Sequence, residues 1–343
     1  MYDASRGGGP GHDIIVIGAS AGGLPTLLTI VRDLPGDLRA ALFITVHIPA
    51  TAASRLPQVL TRASSLPAVH PLGGEPIECG RVYVAPPNRH LVVGRTRVHL
   101  SGGPRENGLR PAIDILFRSA AQHHGPRVIG VVLSGMLGDG SLGLREVRHH
   151  GGLAVVQDPA DALFGDMPGK AVEIAEPDHV VPAREMPALL RRLVATPMSP
   201  IPPVEAIEMT DEDAGTEDWR PDAPPGSADA PGTPTGYSCP DCHGVLWELP
   251  GTDGEGFRCR TGHRLSLESL VEMKDREVED ALYGAARALE EQASTRRRLV
   301  ERLRARGAGE TLRTFDDKVD SAVRQAAVLR QLIEELTTAR AGG

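Results

Sequence analysis

Three short runs, Ile14 to Gly18 (IIVIG), Ala41 to Val46 (ALFITV) and Val128 to Leu133 (VIGVVL), place apolar residues at both odd and even positions. A strand wetted on one side alternates; strands like these must be covered on both faces, as in a parallel sheet with helices above and below. Stretches of helical periodicity separate the runs and Gly/Pro turns join them. Residues 13–195 therefore read as a doubly wound, mostly parallel α/β domain. Further strands are expected at Leu153 to Val156 and His179 to Val181, and helices near 23–33, 51–63, 111–123, 141–150 and 184–194. The segment VYVAPPNRHLVV followed by RTRVHL reads as a β-hairpin excursion from that winding. Aromatic residues are only 3% of the chain, so the core has to be aliphatic.

Just beyond each of the three runs stands a polar residue: Ser20, His47 and Asp139. In open parallel sheets, catalytic groups collect outside the carboxyl ends of the strands. A nucleophile, a base and a carboxylate can therefore meet at one rim. Gly18-Ala-Ser20-Ala-Gly22-Gly23 satisfies the GxSxG spacing of a strand-to-helix nucleophile elbow, whose tight turn leaves room only for small neighbours. Two other readings of this turn stay open. One is a serine N-cap; the other is a phosphate-cradling loop, against which stands serine in place of the second glycine of GxGxxG. Asp139, in SGMLGDG, also suits an ordinary turn aspartate.

The net charge of −8 sits in the middle of the chain: residues 198–236 hold one basic and nine acidic side chains. No flanking region has the basic surplus that phosphate neutralisation demands, which argues against a nucleic-acid partner. No run approaches the ~20 apolar residues of a membrane span, so no direct membrane insertion is expected. The first ten residues lack a signal-peptide core, and a cytoplasmic location is the expectation.

Residues 197–236, rich in Pro, Asp, Glu, Gly and Thr, read as an acidic flexible linker between a catalytic domain at 12–196 and two C-terminal modules. The first, 237–265, carries Cys239-Pro-Asp-Cys242 and Cys259-Arg-Thr-Gly-His263, the spacing of a zinc ribbon. Four protein ligands leave no open position, so Zn²⁺ there is structural. The rival, a redox CxxC, leaves Cys259 and His263 unexplained. The second module, 266–340, shows apolar residues at helical spacing on both sides of Arg306-Gly-Ala-Gly309, which predicts an antiparallel helical hairpin with Ser266 as N-cap. The hairpin suits a helix-mediated protein partner or self-association.

DIIVIGASAGG, TVHIP, GRVYVAPPNRHLVV, RPAIDILFRSAA, VIGVVLSGMLGDGSLG and VVQDPADALFGDMP, in this order, resemble the catalytic domain of the chemotaxis protein-glutamate methylesterase (CheB) family. The resemblance implies Ser20 as nucleophile, His47 as general base and Asp139 as the carboxylate that orients the imidazole. It implies an oxyanion contact from the Met136 backbone and places Arg110 and Asp114 near the cleft. It also implies hydrolysis of glutamyl methyl esters on a methylated chemoreceptor or receptor-like protein, with deamidation of glutamine by the same route and no cofactor for catalysis. Ala21 stands where many members have threonine, and Leu137 where a glycine is common. The family's usual phospho-receiver domain is not expected ahead of a first strand that starts so near Met1. The alternative function is a scaffold in which a weak or inactive CheB-like domain acts through its zinc and helical modules.

Overall fold

The structure, a computed structural model, describes residues 11–49, 54–197, 232–305 and 310–341. The chain divides into two compact units, Met1–Leu270 and Val271–Gly343.

In the first unit, β1 (Ile14–Ala19), α1 (Gly23–Asp33), β2 (Ala41–Val46), α2 (Leu56–Ala63), β3 (Ala68–Val69) and β4 (Val82–Val84) are followed by the strand pair β5 (His90–Val93) and β6 (Val98–Ser101). Then come α3 (Ile113–His124), β7 (Val128–Val132), α4 (Ser141–His149), β8 (Leu153–Gln157), α5 (Asp166–Ala175), β9 (His179–Val181) and α6 (Met186–Ala195). A seven-stranded parallel sheet runs in the order β3-β4-β2-β1-β7-β8-β9. The winding thus reverses at β1: earlier connections lead to one side and later ones to the other.

Alternate residues of each strand feed two cores. Ile15, Ile17, Leu42, Ile44, Ile129 and Val131 pack with Leu27, Ile30 and Val31 of α1 on one face. Ile14, Val16, Phe43, Val128 and Val132 pack with Ile113, Leu116 and Phe117 of α3 on the other. Burial of both faces is why these strands read as unbroken apolar runs.

Three elements of this domain differ from the sequence reading, the first being β3, whose two residues carry no pattern. Val82–Val84 is no part of the excursion: it pairs in parallel with β2, and only β5 and β6 form the hairpin. Its Tyr83 stacks on Phe43 at 5.1 Å, while its hydroxyl donates to Pro76 O. Helix α5 had no forecast, because Pro168 and Gly169 weaken its periodic signal; Pro168 lies in the first turn, where its missing N–H has no intrahelical partner to lose.

The Cys/His module is a four-stranded antiparallel sheet of β10 (Thr233–Ser238), β11 (Val245–Glu248), β12 (Gly256–Cys259) and β13 (Arg264–Ser266). Strand β10 begins inside the stretch read as linker; residues 198–231 of that stretch lie outside the described residues. Ser266 caps α7 (Leu267–Arg304), its hydroxyl accepting from Ser269 N–H at 3.2 Å.

In the second unit α7 pairs with α8 (Glu310–Ala341) through a heptad seam of Ala286, Ala293 and Val300 against Val319, Ala326 and Ile333, all buried. Ion pairs Arg304–Asp316 and Arg330–Glu290 fix the antiparallel register. The glycine turn expected at 306–309 lies outside the described residues. Among the described residues no helix is long and apolar enough to cross a membrane.

Candidate active site

Because the winding reverses at β1, its carboxyl end opens between two diverging connections. Ser20 follows β1 directly, and Gly22, at φ +70°, makes the sharp entry into α1 that leaves Ser20 at the rim. The neighbouring strands deliver the partners. His47 follows β2 with its N–H bonded to Ala19 O, and Asp139 lies in the loop from β7 to α4.

The three side chains form a continuous hydrogen-bonded chain. The Ser20 hydroxyl lies 2.9 Å from His47 Nδ1, and His47 Nε2 lies 2.7 Å from Asp139 Oδ2. With Nε2–H donating to the carboxylate, Nδ1 is left as acceptor for the serine proton.

Asp139 is 1% exposed and its carboxylate is saturated with donors. The backbone N–H of Ile113 donates to Oδ2 at 2.7 Å, and Oδ1 accepts from Asp114 N–H at 3.3 Å and from the Asn107 side-chain amide at 2.9 Å. Ile113 and Asp114 open α3, so the carboxylate sits at a helix N-terminus that favours negative charge. Burial opposes ionisation, yet the bond and charge of His47, with the Ile113 and Asn107 donors, hold the Asp139 carboxyl below the usual range.

Asp114 stands behind it, likewise buried. It accepts from Gly140 N–H and Gly143 N–H, at 3.0 and 2.6 Å, and from the Asn107 amide at 3.0 Å. Burial and the charges of Asp139 and Glu106 push its carboxyl well above the ordinary value. Asp114 thereby ties the start of α4 to the start of α3, behind the reacting groups. Arg110 does something else: its guanidinium bonds Asn88 Oδ1 and the carbonyls of Gly102 and Gly103, bracing loops at the end of the β5–β6 hairpin.

Met136, half exposed, sits on the turn beside the serine. At Gly135 a Cβ would meet Ser20 Cβ at 2.8 Å and Met167 Sδ at 2.7 Å, so only glycine fits there. Gly135 N–H is bonded to Phe164 O and its carbonyl to Met167 N–H. The Gly135 N–H is therefore engaged, and Met136 follows it in the turn. Leu137 adopts φ +64°, a left-handed conformation that explains why glycine suits this position better.

Asn107 was not foreseen. Its own φ is +52°, in a Glu-Asn-Gly turn whose only sequence signal is that of a loop.

The four metal-ligand candidates lie at two turns: Cys239 and Cys242 between β10 and β11, Cys259 closing β12 and His263 directly before β13. Their ligand atoms all fall within 4.8 Å of one another. Cys242 Sγ is 3.6 Å from Cys259 Sγ, and His263 Nδ1 lies 3.7 and 3.4 Å from the sulfurs of Cys239 and Cys259. A tetrahedron with metal–sulfur bonds of ~2.3 Å has edges of roughly 3.8 Å, so the set fits a tetrahedral ion. The hydrogen bond with Cys239 is the largest of the contacts that hold the Cys259 thiol down at about 4.

Comparison with known proteins matches the same half of the molecule. The family model for the CheB methylesterase matches residues 15–190. A protein-glutamate methylesterase/protein-glutamine glutaminase of Anaeromyxobacter dehalogenans is 39% identical over 181 residues, 53% of this chain and 53% of its own. The chain thus spans about half the length of that relative. A putative enzyme of the same description from Leptospira interrogans is 37% identical over 183 residues, 53% of this chain but 95% of its own. The crystal structure of the Thermotoga maritima CheB methylesterase catalytic domain aligns with a TM-score of 0.51 at 32% identity, over 53% of this chain and 98% of that one. Sheet order, sequence and solved structure converge on one lineage, and the chain belongs to the CheB methylesterase family.

Proposed function

We propose that this protein hydrolyses glutamyl methyl esters on a chemoreceptor-like protein by way of an acyl-enzyme on Ser20, as an enzyme of chemotactic signalling. The observation that carries the reading is the Ser20–His47–Asp139 hydrogen-bonded chain at the reversal of the sheet. His47 Nδ1 takes the hydroxyl proton as Ser20 Oγ attacks the ester carbonyl, and Asp139 stabilises the imidazolium. Met136 N–H supports the developing oxyanion. His47 then protonates the leaving methoxide and methanol departs. Water, deprotonated by His47, releases the γ-carboxylate and restores Ser20. With a glutamine side chain the same steps release ammonia, in keeping with the double name of the relatives. Asp114 and Asn107 act behind the site, and Arg110 braces its surroundings.

In the same reading Cys239, Cys242, Cys259 and His263 hold a structural Zn²⁺, which supports a module whose buried core is little more than Leu246, Trp247, Phe257 and Leu265. Unpaired thiols at ligand spacing suit a reducing compartment, the cytoplasm. The hairpin recruits a helical partner, a reading supported by the exposed Val271, Val278 and Tyr283 along α7. Methanol release from a receptor fragment carrying methylated glutamates tests the esterase. Release by the wild-type chain and none by Ser20→Ala is expected; equal release by both rules the proposal out.

A further inference from the structure

The Cys/His sheet is built onto the candidate active site. Its edge strand β13 is continued by residues 105–107: Glu106 bridges Arg264 in parallel, Asn107 N–H donates to Arg264 O at 2.8 Å and Arg264 N–H reaches Arg105 O at 3.4 Å. Lys170 of α5 pairs with Glu268 at 2.8 Å, a second tie close by. Glu106, only 5% exposed, is held from the other side by Arg118 of α3 at 2.6 Å.

The side chain of Asn107 spans this seam. Its carbonyl oxygen accepts the backbone N–H of Ser266 at 2.8 Å. Its two amide hydrogens go to Asp139 Oδ1 at 2.9 Å and Asp114 Oδ2 at 3.0 Å. Asn107 is 6% exposed, and every hydrogen-bonding direction of its side-chain nitrogen is used. One buried amide therefore joins the carboxylate that orients His47 to a strand that starts directly after the metal-ligand candidate His263. In such a network the loss of one member leaves buried polar atoms unpaired, so both ends of the amide are coupled.

We propose that Asn107 is a positioning residue through which metal binding in the Cys/His module sets the geometry of Asp139, making the module an intramolecular clamp on the esterase. The inference rests on the esterase and metal readings above. Without metal, the turn from Cys259 to His263 loses its anchor and β13 loses register. Ser266 N–H then leaves Asn107, and the amide no longer holds Asp139 against the N-terminus of α3. The buried carboxylate loses a donor at Oδ1, and the orientation it gives His47 through Oδ2 loosens.

The test uses the full-length chain, zinc-loaded or stripped by a chelator under reducing conditions, with two readouts. Hydrogen exchange of peptides covering 105–116 reports the clamp without any catalysis; a fluorophosphonate probe reports the reactivity of Ser20 between pH 5 and 9. Stripping is expected to speed exchange in 105–116, to leave the β1 and β2 peptides protected, and to slow probe labelling tenfold or more with an altered pH profile. Asn107→Ala in the loaded protein is expected to slow labelling similarly, and stripping that variant to add little, because both act on one link. Unchanged exchange and unchanged labelling on stripping overturn the proposal, and so do fully additive losses. If Asn107→Ala does not fold, the stripped wild-type chain decides alone. A loaded wild-type chain whose Ser20 ignores the probe refutes the esterase reading, while the exchange data still judge the clamp. A chain that retains no zinc refutes the metal reading and the clamp with it.

Discussion

His47 Nε2 lies 2.7 Å from Asp139 Oδ2, an arrangement that assigns the imidazole proton to the carboxylate side and leaves Nδ1 to face the serine. Asp139→Asn presents an amide that can donate to Nε2 and so favour the wrong tautomer. An amide nitrogen at the Oδ2 position leaves the Ile113 N–H without its acceptor, so some stability is lost with the fold retained, while kcat for methyl-ester hydrolysis falls by about 10³–10⁴. Circular dichroism beside stopped-time methanol assays checks both halves, and a loss below tenfold contradicts the tautomer argument.

The oxyanion assignment has a steric handle. Gly135→Ala drives a Cβ against Ser20 and Met167, which displaces the adjoining Met136 N–H. A fall in kcat of about 10² with KM little changed is expected, as for the loss of one oxyanion donor. A variant that lowers only substrate affinity argues for another donor.

Metal in the Cys/His module is directly measurable. Purified protein should retain one zinc per chain through dialysis, and Cys239→Ser, which removes a buried ligand, should lose it. Elemental analysis without stoichiometric metal in the wild type counts against the tetrahedral site.

His124, 6% exposed, donates from Nε2 to Gly94 O, and burial lowers its pKa to about 4. An unfolded histidine titrates near 6.5, so between these values the unfolded chain binds the extra proton and stability falls as pH drops. The loss is on the order of 3 kcal/mol by pH 4. Asp139 acts in a lower window: its depressed pKa contributes stability above the ordinary carboxylate value, lost only as pH falls through the folded one. Denaturant midpoints from pH 7 to 4 should show the His124 slope, reduced in His124→Gln; identical slopes reject it.

The helical hairpin turns on small seam residues. Ala293 packs against Val319 and Ala322, so Ala293→Leu overfills the seam and should destabilise the hairpin by about 1–3 kcal/mol. Helix melting followed at 222 nm gives the answer.

What could be read from residues alone follows the range of the forces involved. The central strands announce themselves because burial on two faces leaves no polar position, and the rim residues follow from where those runs stop. The Cys/His set is legible because ligand spacing is local. Val82–Val84 was misplaced because a three-residue strand carries too little pattern to tell sheet from excursion. Helix α5 was lost to Pro168 and Gly169. Asn107 escaped for a different reason: its hydrogen-bond partners include a backbone N–H 159 residues away, and no local pattern encodes a contact of that separation.

That separation has a temporal side. At synthesis rates of roughly 5–20 residues per second, about 8–30 seconds pass between the emergence of Asn107 and that of Ser266. The α/β sheet can fold in that interval, yet Asn107, which supports the orienting carboxylate, lacks its Ser266 partner until the last strand of the small sheet leaves the ribosome. On the clamp proposal, a nascent chain would gain the full support behind Asp139 only at that late point in its translation.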